Sequence, residues 1–257
     1  MPADDYEALQ DAVLQVMRLD LRLYKREQME RRLRAYGTQR GCKDLRELAQ
    51  ALRTDPALPA QILSYLTIHV SEFFRDPRFF QELRALLPQL PAAPHTLHLW
   101  SAGCSIGAEP YSLAMLLAEE RSTQRYQILG TDLDERSLDR ARRGVYRDDE
   151  LRQVDPQRRA RYFTAEEKEF RIRPDLQRFI SFRHHDLLRD AYPADQDLIL
   201  FRNVAIYFTE EAKDQVLQRL SRALAPHGLL MVGSTEAILR PQELGLRQVR
   251  PFFFARA

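Results

Sequence analysis

Residues 97–117 read LHLWSAGCSIGAEPYSLAMLL, a stretch that predicts a buried strand, a tight turn and a helix. Its first part is apolar, small residues follow, and then Leu113, Leu116 and Leu117 recur at helical spacing. Pro110 suits the first turn of a helix, where its missing N–H is not needed. Such a turn places backbone N–H groups at the carboxyl edge of a sheet, where α/β folds bind ligands. An ordinary strand–helix turn in any α/β domain is the alternative.

Alternation of strands and helices continues from residue 96 to residue 257 and predicts an α/β domain. The predicted strands cover residues 96–100, 126–130, 198–201, 229–232 and 248–254. Residues 156–183 interrupt this rhythm with short stretches of alternating apolar and polar residues. We expect residues 156–183 to form a small antiparallel β-subdomain inserted in the α/β domain.

Residues 1–83 show no such alternation and predict an all-α domain. Their apolar residues recur at helical spacing, and Gly37 is a natural residue to end the second helix. Three prolines within residues 88–94 cannot continue a helix and favour extended backbone. They mark residues 84–95 as a linker between the two domains.

The second predicted helix carries the main charge asymmetry of the chain. Six basic residues and two acidic ones lie between Arg22 and Arg34. Lys25 and Arg32 share one line of the helix beside its apolar stripe, and Arg26 flanks the other side. A solvated face and a docking face for an acidic helix or an anionic polymer are both compatible with this pattern.

Composition narrows the class of protein. The chain has 257 residues, 44% of them hydrophobic, and a formal net charge of +2, which does not indicate a nucleic-acid binder. Its two cysteines, Cys42 and Cys104, form neither a disulfide framework nor a set of metal ligands. Neither an apolar signal core nor a membrane-length apolar run occurs, so we expect a cytoplasmic protein without membrane insertion.

Two features indicate the kind of ligand. Gly103 and Gly107 are separated by three residues, whereas a dinucleotide site normally needs the closer Gly-x-Gly-x-x-Gly cluster. Asp132 ends the next predicted strand, where a carboxylate can accept hydrogen bonds from ribose hydroxyls. Together they fit S-adenosylmethionine. A helix N-cap is an equally reasonable role for Asp132, and the two roles are compatible.

Two further side chains are candidates for the same ligand site. Asn203 follows a buried strand at the same predicted sheet edge and could hold the cofactor or the acceptor group. Glu109 could face the ammonium or sulfonium of the cofactor. A favourable charge in the first turn of a helix explains Glu109 equally well.

The chain resembles the chemotaxis receptor methyltransferases of the CheR type over nearly its whole length. The motifs that carry the resemblance are SEFFR at residues 71–75, WSAGCS at 100–105 with Gly107, EPYS at 109–112, and RNV at 202–204 with IYF at 206–208. The resemblance implies transfer of a methyl group from S-adenosylmethionine to glutamate side chains on chemoreceptor helices. It also implies a Rossmann-like methyltransferase sheet with an inserted β-subdomain, preceded by an all-α domain that docks the receptor.

The resemblance also implies roles for individual residues. The cofactor, whose product is S-adenosylhomocysteine, would contact Gly103, Glu109, Asp132, Asp186, Leu187, Asn203 and Val204. Within that set, Asp132 would bind the ribose, and Asp186 and Leu187 would lie near the adenine. Arg75 would reach into the active site beside Ser71, and Tyr207 would lie near the transferring methyl group. The residues that would meet the receptor are Lys25, Arg26, Arg31 and Arg32.

Several positions depart from the family pattern. Asp186 and His69 stand where asparagine is usual, and Ser71 stands where threonine is usual. Other departures are Ile106, Ala108, Phe201 and Ser234. The inserted subdomain is also short, so we expect no tether to the C-terminal pentapeptide of a receptor, and we expect a monomer.

The reaction needs little acid–base chemistry. A glutamate carboxylate has a reference pKa of about 4.3 and is already a nucleophile at neutral pH. We therefore expect no general base, and we expect Arg75 to position the carboxylate.

Two other functions remain open. A nucleic-acid methyltransferase is favoured by the basic helix but not by the net charge, and no Asn/Asp-Pro-Pro-Tyr/Phe motif is present. The second alternative function is that of a cofactor-binding scaffold that regulates a signalling array. The presence of Arg75, Asp132, Asn203 and Tyr207 favours the enzyme instead.

Overall fold

The structure, a computed structural model, describes residues 4–67 and 71–257. It divides into two compact units. The smaller, called the helical unit below, comprises residues 1–68 and 205–214, and the larger unit comprises residues 69–204 and 215–257.

Four helices form most of the helical unit: α1 (Asp5–Met17), α2 (Arg26–Gln39), α3 (Leu45–Thr54) and α4 (Leu58–Leu66). Aspartate side chains begin two of them. Asp4 accepts the N–H of Tyr6 at 3.3 Å, and Asp44 accepts the N–H of Arg46 at 2.9 Å. The apolar positions at helical spacing are buried, including Leu9, Val13, Met29, Leu33, Leu48, Leu52 and Ile62. The predicted all-α character of this segment is confirmed.

Gly37 does not end the second helix, in contrast to the prediction. Helix α2 continues to Gln39, and the left-handed glycine comes later, at Gly41, whose φ is +80°. Gly37 is buried inside the helix, where an added Cβ would lie 3.6 Å from Cδ2 of Leu48. The glycine therefore lies where α2 packs closely against α3.

A second segment of the chain, residues 205–214, completes the helical unit. The N–H of Lys25 donates to the carbonyl of Tyr207 at 2.8 Å, and the N–H of Thr209 donates to the carbonyl of Leu23 at 3.0 Å. The rings of Tyr24 and Phe208 meet edge to face with centroids 5.3 Å apart. The sequence predicted this segment as part of the α/β domain, because a pairing over about 180 residues leaves no local pattern.

The larger unit contains ten strands among its described residues: β1 (Leu97–Ala102), β2 (Tyr126–Asp132), β3 (Val145–Arg147), β4 (Phe163–Glu166), β5 (Glu169–Ile172), β6 (Ile180–His184), β7 (Gln196–Phe201), β8 (Leu224–Val232), β9 (Leu246–Arg250) and β10 (Phe253–Arg256). Seven of them form one sheet in the order β6-β2-β1-β7-β8-β10-β9. The first five of these run parallel, and β10 lies antiparallel to both of its neighbours, β8 and β9. The predicted Rossmann-like α/β sheet is confirmed.

Six helices accompany these strands: α5 (Pro77–Leu86), α6 (Ala108–Glu120), α7 (Glu135–Arg143), α8 (Pro156–Tyr162), α9 (Pro174–Gln177) and α10 (Glu210–Ala223). Helix α10 begins in the segment that belongs to the helical unit. The longest described helices, α2 and α10, have 14 residues each. Among the described residues, no helix has both the length and the apolar character that crossing a membrane requires.

The boundary between the units falls at residue 68, not at the predicted residue 83. Helix α5 packs in the core of the larger unit through Phe80, Leu83 and Leu86. The predicted linker, residues 84–95, contains the end of α5 and a further helical turn that buries Leu87. Burial of these apolar side chains makes the segment part of a core, which its prolines alone do not reveal.

The small antiparallel sheet has the order β3-β5-β4, which differs from the predicted subdomain at both ends. Its first strand precedes the predicted range of 156–183, and β6 lies in the large sheet, parallel to β2. The reason is packing. An added Cβ at Gly130 would lie 2.8 Å from the ring of Phe182, so β6 lies closely against β2 at a glycine.

Candidate active site

The turn that follows β1 has the tight geometry that its small residues predict. Gly103, Ser105 and Gly107 all have left-handed backbones, with φ of +83°, +49° and +85°. The N–H groups of Gly103 and Cys104 both donate to the carbonyl of Thr131 at 2.8 Å. Burial raises the pKa of the Cys104 thiol well above its ordinary value, so the thiol is protonated at neutral pH and is not a nucleophile.

Asp132 ends β2 beside this turn. Its Oδ2 accepts the N–H of Ser105 at 2.7 Å, and its Oδ1 accepts the N–H of Asp134 at 3.0 Å. Asp134, and not Asp132, caps α7, because the Asp134 side chain accepts the N–H of Arg136. Both carboxylate oxygens are hydrogen-bond acceptors, which is the chemistry that a ligand hydroxyl needs.

Glu109 lies in the first turn of α6 and is held by two donors. The hydroxyl of Ser101 donates to Oε1 at 2.8 Å, and Nη1 of Arg202 lies 3.2 Å from Oε2. The Arg202 side chain is 2% exposed and its guanidinium lies 4.6 Å from the centroid of the Phe79 ring. Glu109 is therefore fixed by a buried cation, in addition to its favourable place at a helix N-terminus.

Asn203 and Val204 follow β7 at the same edge of the sheet. Asn203 has a left-handed backbone with φ of +59°. The N–H groups of Asn203 and Val204 donate to the carboxylate of Glu236 at 3.0 and 2.9 Å. An added Cβ at Gly103 would lie 2.4 Å from Cγ2 of Val204, so these two turns are in direct contact.

Arg75 lies between two residues with left-handed backbones, Phe74 with φ of +50° and Asp76 with φ of +56°. Arg202 holds this segment: its Nη2 donates to the carbonyl of Arg75 at 3.0 Å and to Oδ2 of Asp76 at 2.8 Å. The N–H of Phe74 donates to the hydroxyl of Ser112 at 2.8 Å. A backbone held in a sparsely populated conformation from several sides is typical of functional segments. Ser71 is half-buried at the start of the segment.

Asp186 and Leu187 follow β6. The N–H of His185 donates to the carbonyl of Asp132 at 2.9 Å, which brings the ends of β6 and β2 together. Burial raises the pKa of Asp186, and the N–H of Leu188 donates to its Oδ1 at 2.8 Å. The residues that the resemblance placed around the cofactor thus lie in the larger unit, at the ends of β1, β2, β6 and β7.

The remaining predicted site residues belong to the helical unit. The Arg32 guanidinium lies 5.3 Å from the ring centroid of Tyr65 and 5.8 Å from that of Tyr207, and it donates to the Tyr65 carbonyl. Lys25 lies 3.7 Å from Glu210. His69 lies outside the described residues.

Two other basic residues of α2 differ in their partners. Arg26 pairs with Glu30 at 3.2 Å and also with Asp4. Arg31 is exposed, and no ion pair of Arg31 occurs among residues 4–67 and 71–257. The basic face of α2 is therefore only partly available to another molecule.

Sequence reasoning assigned no role to Arg202 or Glu236. Arg202 lies within the RNV motif, so its position beside Asn203 was a usable signal. Glu236 lies 33 residues after Asn203 and contacts it only through the folded sheet. A charged residue four positions after the end of a buried strand was the signal available for Glu236.

The geometry fits S-adenosylmethionine. Asp132 offers acceptors to a ribose diol, and Glu109 supplies an anionic group in the first turn of α6. The left-handed turn at residues 103–107 lets the backbone approach a ligand closely. A pyrophosphate cradle of the Gly-x-Gly-x-x-Gly type does not occur in the sequence, which fits a cofactor without phosphates.

Comparisons with known proteins identify the family of the chain. Residues 69–251 match the family model described as the SAM-binding domain of CheR methyltransferases, and residues 4–67 match the all-alpha domain of the same family. The chemotaxis protein methyltransferase of Listeria monocytogenes is 37% identical over 254 residues, which cover 98% of this chain and 97% of that protein. Chemotaxis protein methyltransferase 1 of Pseudomonas aeruginosa is 35% identical over 243 residues, covering 88% of each chain. The chain belongs to the CheR family of S-adenosylmethionine-dependent methyltransferases.

Proposed function

We propose that this protein methylates glutamate side chains on the cytoplasmic helices of chemoreceptors and produces glutamyl methyl esters. The observation that carries the proposal is the convergence of Glu109, Asp132 and Asn203 around the turn of Gly103, at the carboxyl ends of three parallel strands. The relatives named as chemotaxis protein methyltransferases support the choice of a chemosensory substrate.

The chain has to align two reactants. S-adenosylmethionine supplies an electrophilic methyl group, and the glutamate carboxylate is ionised at neutral pH and needs no general base. Alignment of bound reactants can contribute about 7–11 kcal/mol to lowering a barrier. In the proposed site Asp132 binds the ribose hydroxyls, Glu109 and Asn203 orient the methionine part, and Asp186 and Leu187 border the adenine.

Arg75 is the proposed ligand of the acceptor carboxylate. A guanidinium matches a carboxylate with two parallel hydrogen bonds and so fixes its orientation. Arg202 holds the carbonyl of Arg75, and both neighbours of Arg75, Phe74 and Asp76, have left-handed backbones. From the resemblance alone, Ser71 and Tyr207 are further candidates for contact with the acceptor.

The proposed docking face consists of Lys25, Arg26, Arg31 and Arg32. Arg31 is exposed and offers its charge directly, whereas Arg26 must give up acidic partners within the chain. Acidic receptor helices would supply replacement partners. The small sheet has strands of only three or four residues, which supports the expectation of no pentapeptide tether.

The test is transfer of radiolabelled methyl groups to membranes that contain chemoreceptors. We expect base-labile label on the receptors, since methyl esters hydrolyse in base, and no label on RNA offered instead. Label on RNA, or no label on any receptor, would refute the proposed substrate. Capture of the protein by the receptor pentapeptide would contradict the absence of a tether.

Replacement of Arg75 by alanine tests the acceptor side. We expect Arg75→Ala to lower methyl transfer by roughly 100-fold or more, because a misplaced carboxylate loses alignment, while S-adenosylhomocysteine still binds. Arg78→Ala is the matched control, since Arg78 is exposed in the first turn of α5, three residues away. Near-normal turnover of Arg75→Ala would remove Arg75 from the site.

A further inference from the structure

Glu236 is a carboxylate with no exposed surface. It lies in a short helical turn, Ser234–Glu236, directly after the end of β8. A buried charge is strongly unfavourable unless hydrogen bonds compensate for lost water. Its partners therefore indicate why the fold keeps a carboxylate here.

Those partners lie mainly in the turn after β7. Oε1 of Glu236 accepts the N–H of Val204 at 2.9 Å, and Oε2 accepts the N–H of Asn203 at 3.0 Å. The hydroxyl of Thr235 also donates to Oε2, at 2.8 Å. Hydrogen bonds to an ionised acceptor are about twice as strong as bonds between neutral groups.

Glu236 and its surroundings favour an unusual backbone at Asn203. A left-handed conformation is uncommon for residues other than glycine, although asparagine adopts it more readily than most, and Asn203 has φ of +59°. Glu236 binds the two consecutive N–H groups that this conformation presents. Gly233 makes room for the carboxylate, because an added Cβ there would lie 2.4 Å from Oε2.

The influence of Glu236 extends to the turn after β1. Val204, whose N–H is held by Glu236, packs directly on Gly103, where an added Cβ would lie 2.4 Å from Cγ2 of Val204. One carboxylate thus fixes the position of Asn203 and the contact between the turns after β7 and β1.

We propose that Glu236 is a positioning residue for cofactor binding: through the N–H groups of Asn203 and Val204 it holds the turn after β7 in the geometry that the cofactor requires. The inference rests on the proposed function in one respect, the placement of Asn203 at the cofactor. It does not depend on the methyl acceptor.

Glu236→Gln tests the inference with little change in shape. A glutamine has only one acceptor oxygen, so its amide group would face one of the two N–H donors. We expect the Kd for S-adenosylhomocysteine, measured by titration calorimetry, to rise about tenfold. The KM for S-adenosylmethionine should rise in parallel, with kcat at saturating cofactor changed much less.

Glu243→Gln is the matched control, because it makes the same change at an exposed carboxylate in the short helical turn Pro241–Leu244. We expect its Kd to stay within about twofold of the wild type, since substitutions of exposed side chains away from a site usually have small effects. Circular dichroism and thermal unfolding establish that each variant is folded. A folded Glu236→Gln protein with unchanged Kd overturns the inference.

A measurement on the wild-type protein decides the matter if Glu236→Gln does not fold. The amide protons of Asn203 and Val204 should exchange slowly with solvent, by NMR, before any ligand is added. Exchange of both at the rates of an open loop overturns the inference. Asn203→Ala separates the two proposals: an unchanged Kd refutes the placement of Asn203 at the cofactor, whereas a raised Kd with no effect of Glu236→Gln refutes only the role of Glu236.

Discussion

Arg34 in the helical unit and Arg202 in the larger unit each bridge two carboxylates. Arg34 pairs with Asp5 and Glu30, both at 2.7 Å, and its side chain is 44% exposed. Arg202 pairs with Asp76 at 2.8 Å and with Glu109 at 3.2 Å, and its side chain is 2% exposed. The pairs have the same chemistry, and only their surroundings differ.

The two arginines show that charge has a different role in each unit. Around Arg34, water and salt screen the pairs, so each is worth about 0–1 kcal/mol. Around Arg202, the partner Glu109 is only 18% exposed, whereas Asp76 is 56% exposed, so loss of the cation would leave mainly the Glu109 carboxylate uncompensated at the site. Charges on α2 are therefore free to change partners, whereas Arg202 is a fixed part of the site.

The largest effect should come from Arg202→Met. Removing one partner of a buried ion pair typically destabilises a protein by about 3–5 kcal/mol. We expect the free energy of unfolding in urea to fall by about that amount, with weaker binding of S-adenosylhomocysteine. A loss of less than about 1 kcal/mol would break the contrast with Arg34.

Two glycines, one in the site and one at the surface, show a similar contrast. Gly103 and Gly245 both have left-handed backbones, with φ of +83° and +65°. An added Cβ at Gly103 would clash with Val204, whereas one at Gly245 would have no described atom within 4 Å. We expect Gly103→Ala to cost roughly 1–3 kcal/mol in the free energy of unfolding and to weaken cofactor binding.

Gly245→Ala is the control for Gly103→Ala, because it shares the backbone strain without the clash. It should cost about 1 kcal/mol and leave the Kd for S-adenosylhomocysteine unchanged. Equal effects of the two substitutions on binding would show that strain alone, and not the contact with Val204, governs the turn.

Two carboxyl groups should respond to pH in opposite directions. Burial raises the pKa of Asp186, so its ionised form destabilises the folded protein, and this penalty appears as pH rises through the ordinary value of about 3.9. We expect Asp186→Asn to raise the melting temperature at pH 7 by roughly 1–3 °C and to have no effect near pH 3. Thermal unfolding at the two pH values is the measurement.

Asp5 is the counterpart of Asp186. The Arg34 guanidinium holds the pKa of the Asp5 carboxyl well below its usual range, so its stabilising effect is present at neutral pH and is lost as pH falls. Asp5→Asn should therefore lower the melting temperature at pH 7. A change of the same sign for both aspartates would contradict these assignments.

The smallest effect should come from Arg34→Met. Its ion pairs are exposed, so we expect a loss of at most about 1 kcal/mol at low ionic strength. In 1 M salt the Debye length is about 3 Å and the loss should shrink further. Urea unfolding at low ionic strength and in 1 M salt measures the loss of stability under each condition. A loss that does not depend on salt would show that Arg34 stabilises the protein by packing and not by charge.

Short sequence patterns predicted the part of the site whose residues are neighbours in the chain. The strand, turn and helix of residues 97–117 lie next to one another in the chain, so small residues, Pro110 and the leucine spacing determine them together. Asp132 was visible for the same reason, because it ends an apolar strand. Asn203 was visible because it follows a buried strand, and the family motifs added Arg75 and Tyr207.

Contacts between distant segments could not be predicted from local patterns. Glu236 reaches Asn203 only after β7 and β8 have paired, and β6 joins the large sheet because Phe182 fits over glycines. Alternation of apolar and polar residues indicates a strand but not its sheet, so β6 was placed in the small subdomain. Apolar residues of α5 likewise do not reveal which core they enter.

Residues 205–214 have a consequence for how such proteins can be divided and recombined. The family model of the all-alpha domain ends at residue 67, but backbone bonds from Lys25 and to Leu23 have their partners in this later segment. A fragment cut at residue 67 would lose those partners and leave Tyr24 without Phe208. An exchange of the helical unit between relatives would have to transfer residues 1–68 and 205–214 together. The boundary of the family model at residue 67 is therefore not sufficient to define an exchangeable domain.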